Sequence, residues 1–319
     1  MSFEQDYDAI TQACGLLDRA ERGKLALTGS EAKAFLQGQV TNDVEALVPG
    51  TGCYAAFLTP KGKLLGDLRI LDAGDELLLD TERLALQGLF NMIRRFSVGY
   101  DVELHKRTLE SGLVSLIGPA SEAAARAAVA GGDALPGPQE HAHVELSVGP
   151  AAVSVRAIRT DVGLDLLLDS RDHDAVWAAL RQAGAREVTD EAADCLRIEL
   201  GRPRYGVDLD DTVIPQEAGL NQRAVSFTKG CYVGQETVAR LFYRGKPNRR
   251  LCGLRARGPV APGAELSYRD RAAGRVTSVA QSPRFGSIAL AFVRREAPDG
   301  AVVSLAPSVE AEVVALPFA

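Results

Sequence analysis

Paired cysteines are missing from this chain. Its five, Cys14, Cys53, Cys195, Cys231 and Cys252, are scattered and odd in number, and no two form a CxxC pair. That spacing argues against a disulfide framework or a self-contained zinc or iron–sulfur site, and it predicts reduced thiols. No run of 18 apolar residues occurs, so no membrane-spanning helix is expected. The opening Met1-Ser2-Phe3-Glu4-Gln5-Asp6 has neither the positive nor the apolar region of a secretory signal. Together these absences point to a cytoplasmic protein without a membrane partner. A basic surplus is missing too. Against 42 Asp and Glu stand 36 Lys and Arg, for a net charge of −6. That balance disfavours a general grip on nucleic acid and leaves only a local basic patch as a route to one.

What is present suits a globular protein of two or three domains: 319 residues, 46% apolar and 24% charged. Residues 25–27 read as a strand. Thr28 and Glu31 then fit a capping box that opens a helix through about Gln37. The amide-rich run 37–43 breaks regularity, either as a solvated loop or as a ligand lining. Residues 54–58 and 64–71 flank a Pro/Gly turn and predict a hairpin. A further strand is expected at 76–79, then a helix over 81–95 with Leu86, Leu89, Phe90 and Ile93 inward. Strands at 113–117, 153–158 and 164–168 and a helix at 172–182 follow without strict alternation, which indicates an α+β fold. His141 and His143 have the spacing of a metal pair but no third ligand nearby, so an exposed loop is the plainer reading. A helix over 190–200 with Leu196 inward ends at Gly201. From Leu251 to Pro317, short strands between Gly/Pro/Asp turns predict a β-barrel with scattered arginines and a structural role. The expected division is 1–245 and 246–319.

The densest chemistry lies in KGCYVGQE, residues 229–236. An ammonium, a thiol, a phenol, an amide and a carboxylate share eight residues with Gly230 and Gly234, glycines that permit sharp turns or close approach. Glu236, Ala239, Arg240 and Tyr243 recur at helical spacing, so the octet reads as a loop feeding a helix N-terminus. There Cys231 is a candidate reactive thiol, with Lys229 and Tyr232 beside it and Gln235 and Glu236 completing the motif. A tight turn around a buried, inert cysteine is the alternative. A basic run, Arg240, Arg244, Lys246, Arg249 and Arg250, follows. It is either a solvated helix end and linker or an anion site.

LRIELGRPRYGVD at 196–208, IPQEA at 214–218 and KGCYVGQE at 229–236 resemble the YgfZ family, folate-binding relatives of the glycine-cleavage T-protein, an aminomethyltransferase. FLQGQVTND at 35–43, LTPKGK at 58–63, GRVTS at 274–278 and LPF at 316–318 match the same pattern, so the resemblance spans nearly the whole chain.

The resemblance implies two interlocked α+β lobes and a C-terminal β-barrel around a central funnel that binds tetrahydrofolate. It also implies a role in making or repairing iron–sulfur enzymes, including one that modifies tRNA, with those clients or assembly proteins as partners. Glu217 takes the position of the carboxylate that faces the folate pterin, and Asp67 that of a carboxylate acting on the folate amine. If the basic run is an anion site, Arg240 is its candidate contact for the folate glutamate tail or for RNA of a partner complex. Where T-proteins carry adjacent aspartates, this chain has Gly66-Asp67, and the octet thiol is foreign to them. A carboxylate lost and a thiol gained imply a binding factor that is not a conventional enzyme. A folate-dependent aminomethyl transferase and a nucleic-acid-binding module are the alternatives.

Overall fold

A computed structural model describes residues 2–305 and 309–319. The chain divides into two compact units, Met1–Ala55 with Asp67–Ala193 and Ala56–Gly66 with Asp194–Ala319.

The first unit holds two sheets. One runs, in spatial order, Arg186–Glu187, Gly15–Asp18, Ser111–Ile117, Gly163–Asp169, Val153–Thr160 and His143–Val148. Its strand Gly163–Asp169 buries every second residue, as the two-residue period of a pleated strand requires. Leu164, Leu166 and Leu168 thereby join a core with Val176 and Leu180 of helix His173–Gln182. Each such leucine contributes roughly 1.5–3 kcal/mol by leaving water. The second sheet runs Gly52–Leu58, Leu64–Asp72, Leu77–Thr81, Gly23–Thr28 and Glu103–Lys106. The expected 54–58/64–71 hairpin is its first pair of strands, and its tip belongs to the second unit.

Buried charge ties the two sheets together. Asp80 accepts from Arg22 Nε at 2.7 Å and from Arg69 Nε at 2.6 Å. Arg69 Nη1 continues to Asp165 of the other sheet at 2.5 Å, and Ser115 Oγ closes the chain on Asp165 at 2.6 Å. Burial works to raise the Asp80 pKa, but the two guanidiniums outweigh it and hold the carboxyl well below the usual range.

Three local expectations need correction. Thr28 does not cap the following helix: it ends strand Gly23–Thr28 and its hydroxyl meets His105 Nε2 at 2.8 Å. Helix Ala32–Gln37 starts after Glu31, whose carboxylate accepts the Asp101 amide at 2.6 Å instead. In helix Arg83–Phe96 the buried stripe is Ala85, Leu89 and Ile93, spaced by four. Phe90 stays half-buried, with Lys106 Nζ 4.8 Å from its ring centre. In helix Asp190–Glu199 the inward face is Ala192, Cys195 and Ile198, with Leu196 half-buried.

The second unit contains the expected barrel, closed in the order Arg249–Ala256, Gly286–Arg294, Arg271–Ser282, Glu265–Tyr268, Val302–Leu305 and Val309–Val314. Cys252, Leu254, Val276, Ala291 and Val293 are among the residues filling it, while Ile198 and Phe318 pack on Ile288 and Leu290. Asp208, whose side chain is fully buried, accepts from Arg197 Nη1 at 2.7 Å, the Arg204 amide at 3.0 Å and Ser278 Oγ at 2.7 Å. The 202–211 stretch is thereby fixed without forming a helix. Among the described residues no helix is long and apolar enough to cross a membrane.

Removing Asp80 takes the shared partner from two buried guanidiniums and leaves Arg69 only Asp165 and Arg22 only Glu82. Asp80→Ala is expected to lower the unfolding free energy by about 3–5 kcal/mol. Breaking the exposed Arg126–Glu122 pair is expected to cost under about 1 kcal/mol. Urea denaturation of the two variants measures the difference.

Candidate functional site

Two clusters carry the predicted site residues, one in each unit. In the first, strand Leu64–Asp72 presents Asp67, buried at 6% exposure. Tyr54 Oη, from the partner strand of the hairpin, donates to Asp67 Oδ2 at 2.6 Å. Burial and the nearby Glu82 push the Asp67 carboxyl up from the ordinary 3.8 to about 6, against the opposing pull of the Tyr54 hydrogen bond and of Arg22. A carboxyl balanced there can give or take a proton near neutral pH.

The amide-rich loop supports this strand. Asn42 Nδ2 donates to the Tyr54 carbonyl at 2.8 Å. Gln37 spans its own loop, donating to Asp43 at 2.9 Å and accepting the Val44 amide at 2.7 Å. The polar run is thus largely a brace. Tyr54 escaped sequence reasoning although a signal existed, since counting outward from the 59–63 turn brings it within reach of Asp67.

Glu217 anchors the second cluster at 8% exposure. Pro215 sets a turn in which the Glu217 amide donates to the Ile214 carbonyl at 3.0 Å. Its Oε2 accepts the Ile214 amide at 3.3 Å and Arg249 Nη2 at 3.1 Å. Among the described residues both contacts fall on Oε2, which leaves Oε1 for a ligand donor. Arg249 was visible only as one member of a basic run, and its pairing with Glu217 depends on how the first barrel strand is placed. Arg240 is exposed on helix Gln235–Arg244.

The octet is arranged as the loop feeding that helix. Gly234 is the N-cap at φ +85°, and a Cβ there would sit 2.6 Å from the Thr59 carbonyl oxygen. Gly62 at the hairpin tip has φ +74°, and its Cβ would lie 2.9 Å from Thr237 Cβ. The LTPKGK and KGCYVGQE glycines therefore serve one backbone contact. Gly230 has neither a left-handed φ nor a crowded Cβ position, and nothing in the structure explains it.

Lys229 and Tyr232 are buried, with the ammonium 5.2 Å from the phenol ring centre. Burial pushes the Tyr232 phenol up to about 12, so it stays protonated. Cys231, between them, is exposed, as is Glu236, while Gln235 is half-buried. The alternative of a buried cysteine is removed. His143 accepts from Arg156 Nη1 at 3.1 Å through Nδ1 and donates to the Thr51 carbonyl at 3.2 Å through Nε2. Its two nitrogens are therefore occupied, and the expected exposed loop is corrected: His141 and His143 are both buried, and His143 opens strand His143–Val148.

Cys14, Cys195 and Cys252 are buried, and burial pushes the Cys14 and Cys252 thiols up to about 11. At neutral pH Cys231 is expected to be alkylated first of the five. Mass-spectrometric rates per cysteine check this order, and Cys231→Ser is expected to leave the melting temperature unchanged.

Residues 1–229 match the GCVT N-terminal domain, and residues 249–319 match the glycine cleavage T-protein C-terminal barrel domain. A putative chloroplastic transferase of Arabidopsis thaliana is 28% identical over 99% of this chain and 74% of its own length. An aminomethyltransferase of Rubrobacter xylanophilus is 30% identical, covering 99% of this chain and 86% of that protein. One from Geobacillus kaustophilus is 31% identical, covering 99% and 90%. The crystal structure of glycine cleavage system aminomethyltransferase T from Bartonella henselae shares the fold, with a TM-score of 0.86 at 22% identity over 100% of this chain and 90% of that one. These likenesses overturn the expectation of a factor that is not a conventional enzyme. That expectation weighed one missing carboxylate too heavily against whole-length similarity to aminomethyltransferases. The chain belongs to the glycine-cleavage T-protein family.

Proposed function

We propose that this protein is a folate-dependent one-carbon transferase in which Glu217 orients the pterin and Asp67 handles the proton. The observation that carries the reading is Asp67: a buried carboxyl pushed up to about 6 and held by Tyr54 at 2.6 Å. Tetrahydrofolate supplies a nucleophilic amine that carries the one-carbon unit. Asp67, once ionised, would be the group that accepts a proton from that nitrogen, held in place by Tyr54 on its Oδ2. Glu217 fits the pterin because its one uncommitted oxygen can accept from a ring N–H or amino group while Arg249 steadies the other.

The second aspartate of the T-protein pattern is replaced by Gly66, so one carboxyl serves where the family pattern has two. The KGCYVGQE octet, with Cys231 exposed, supports a further specialisation of the YgfZ type. In that reading the one-carbon chemistry serves iron–sulfur enzymes, including those of tRNA modification, and those enzymes are the partners. Cys231→Ser that retains transfer but no longer sustains such clients is its expected signature; unchanged client activity removes it.

Glu217→Gln is expected to weaken tetrahydrofolate binding by about 1.5–3 kcal/mol, measured by calorimetry. No saturable binding by the wild type sinks the folate assignment.

Asp67→Asn is expected to lower transfer about 10²–10⁴-fold, and wild-type activity to rise with pH through about 6 as the carboxylate forms. Stability moves the opposite way. A carboxyl raised in the folded state binds its proton more tightly there than in the unfolded chain. It therefore favours folding below pH 3.8, and that contribution is lost as pH climbs to about 6. Asp67→Asn removes the cost of the buried charge, so at pH 7.5 it is expected to be the more stable protein by up to roughly 3 kcal/mol. The gap should vanish below pH 4. Denaturation of both proteins across this range tests the sign.

A further inference from the structure

The barrel's arginines look scattered in sequence, but strand register gathers three of them. Arg249 stands directly opposite Arg294, and Arg275 opposite Phe292. Ala291, Val293 and Val276 point into the barrel core, so Arg249, Phe292, Arg294 and Arg275 share its outer face. Two like charges directly opposite each other in an antiparallel pair are destabilising. The guanidinium of Arg249 leans over the Phe292 ring at 4.9 Å and reaches Glu217. Arg275 and Arg294 are exposed, and neither has an ion-pair partner among the described residues.

These three arginines line a cavity of about 550 Å³ floored by Phe292. Arg249 is paired with Glu217, and the carboxylates at the cavity do not neutralise Arg275 or Arg294. Asp208 is consumed by Arg197, Ser278 and the Arg204 amide. Asp210 holds the Thr212 amide at 2.8 Å and hydroxyl at 2.6 Å. Glu265 stands opposite Arg275 in register without forming an ion pair. Gly274, at φ +154°, keeps the wall thin, because a Cβ there would lie 2.0 Å from the Phe292 carbonyl oxygen.

We propose that this outer barrel face is a binding site for an anionic small molecule bearing phosphate or carboxylate groups, with Arg275 and Arg294 as its principal contacts. The volume is that of a small-molecule site, and guanidiniums match both oxyanions bidentately. The site assigns the barrel a role beyond scaffolding and does not rest on the folate reading.

Calorimetric titration of the full-length protein with inorganic pyrophosphate and, separately, citrate tests it. Saturable binding of at least one probe, weakening as salt is raised, is expected, and the tighter arm identifies phosphate or carboxylate chemistry. Arg275→Gln and Arg294→Gln are each expected to cost about tenfold in affinity. Their melting temperatures should equal or exceed that of the wild type, because a repulsive charge is removed. Absence of saturable binding by both probes at millimolar concentration overturns the proposal. So does undiminished binding by the double variant, or a marked fall in its melting temperature, which would make the arginines structural.

Discussion

A carboxylate buried between two guanidiniums sets the terms for the first unit. Asp80 can remain charged away from water only because Arg22 and Arg69 both reach it, and Arg69 in turn is shared with Asp165 of the facing sheet. Such a chain of ion pairs adds little net stability over a well-packed apolar core, yet it tolerates few alternative registers, because any slip strands a charge. The strand held in register this way is the one that presents Asp67. Arg22 also draws the Asp67 carboxyl down while burial and Glu82 lift it, so the proton affinity of the candidate catalytic group is a by-product of the same network.

The second unit uses charge differently. Glu217 and Arg249 form a partly exposed pair that is anchored by backbone: a turn at Pro215 on one side and the first barrel strand on the other. The side chain is oriented more than it is stabilised. An oriented carboxylate with one oxygen uncommitted suits recognition of an N–H donor, whereas a carboxyl with a raised proton affinity suits transfer of a proton. On the proposed reading, the two acidic residues divide binding from chemistry according to their surroundings.

Much of this was legible in the sequence because local signals and tertiary needs agreed. The hairpin, the leucine-rich strands and the turn-rich barrel follow from period and turn chemistry alone. Glu217 and Asp67 emerged through family resemblance, since a lone carboxylate carries no local signature. The failures share one cause. Thr28 looked like a helix cap because Glu31 follows at the right spacing, but a cap competes with sheet pairing, and the strand kept Thr28. Tyr54, Arg249 and the convergence of Arg275 with Arg294 depend on which residues face one another across strands, and register is a property of the assembled sheet.

The paired glycines of the hairpin tip and the helix entry have a consequence for how this fold can be altered. Gly62 and Gly234 are separated by most of the chain yet occupy a single patch of main chain where a methyl group on either would collide with the opposite segment. The segments 58–63 and 229–236 therefore behave as one interchangeable cassette. A hairpin transplanted from a relative carries its fit only if its counterpart helix entry travels with it, so recombination breakpoints placed between the two segments separate halves of a single joint.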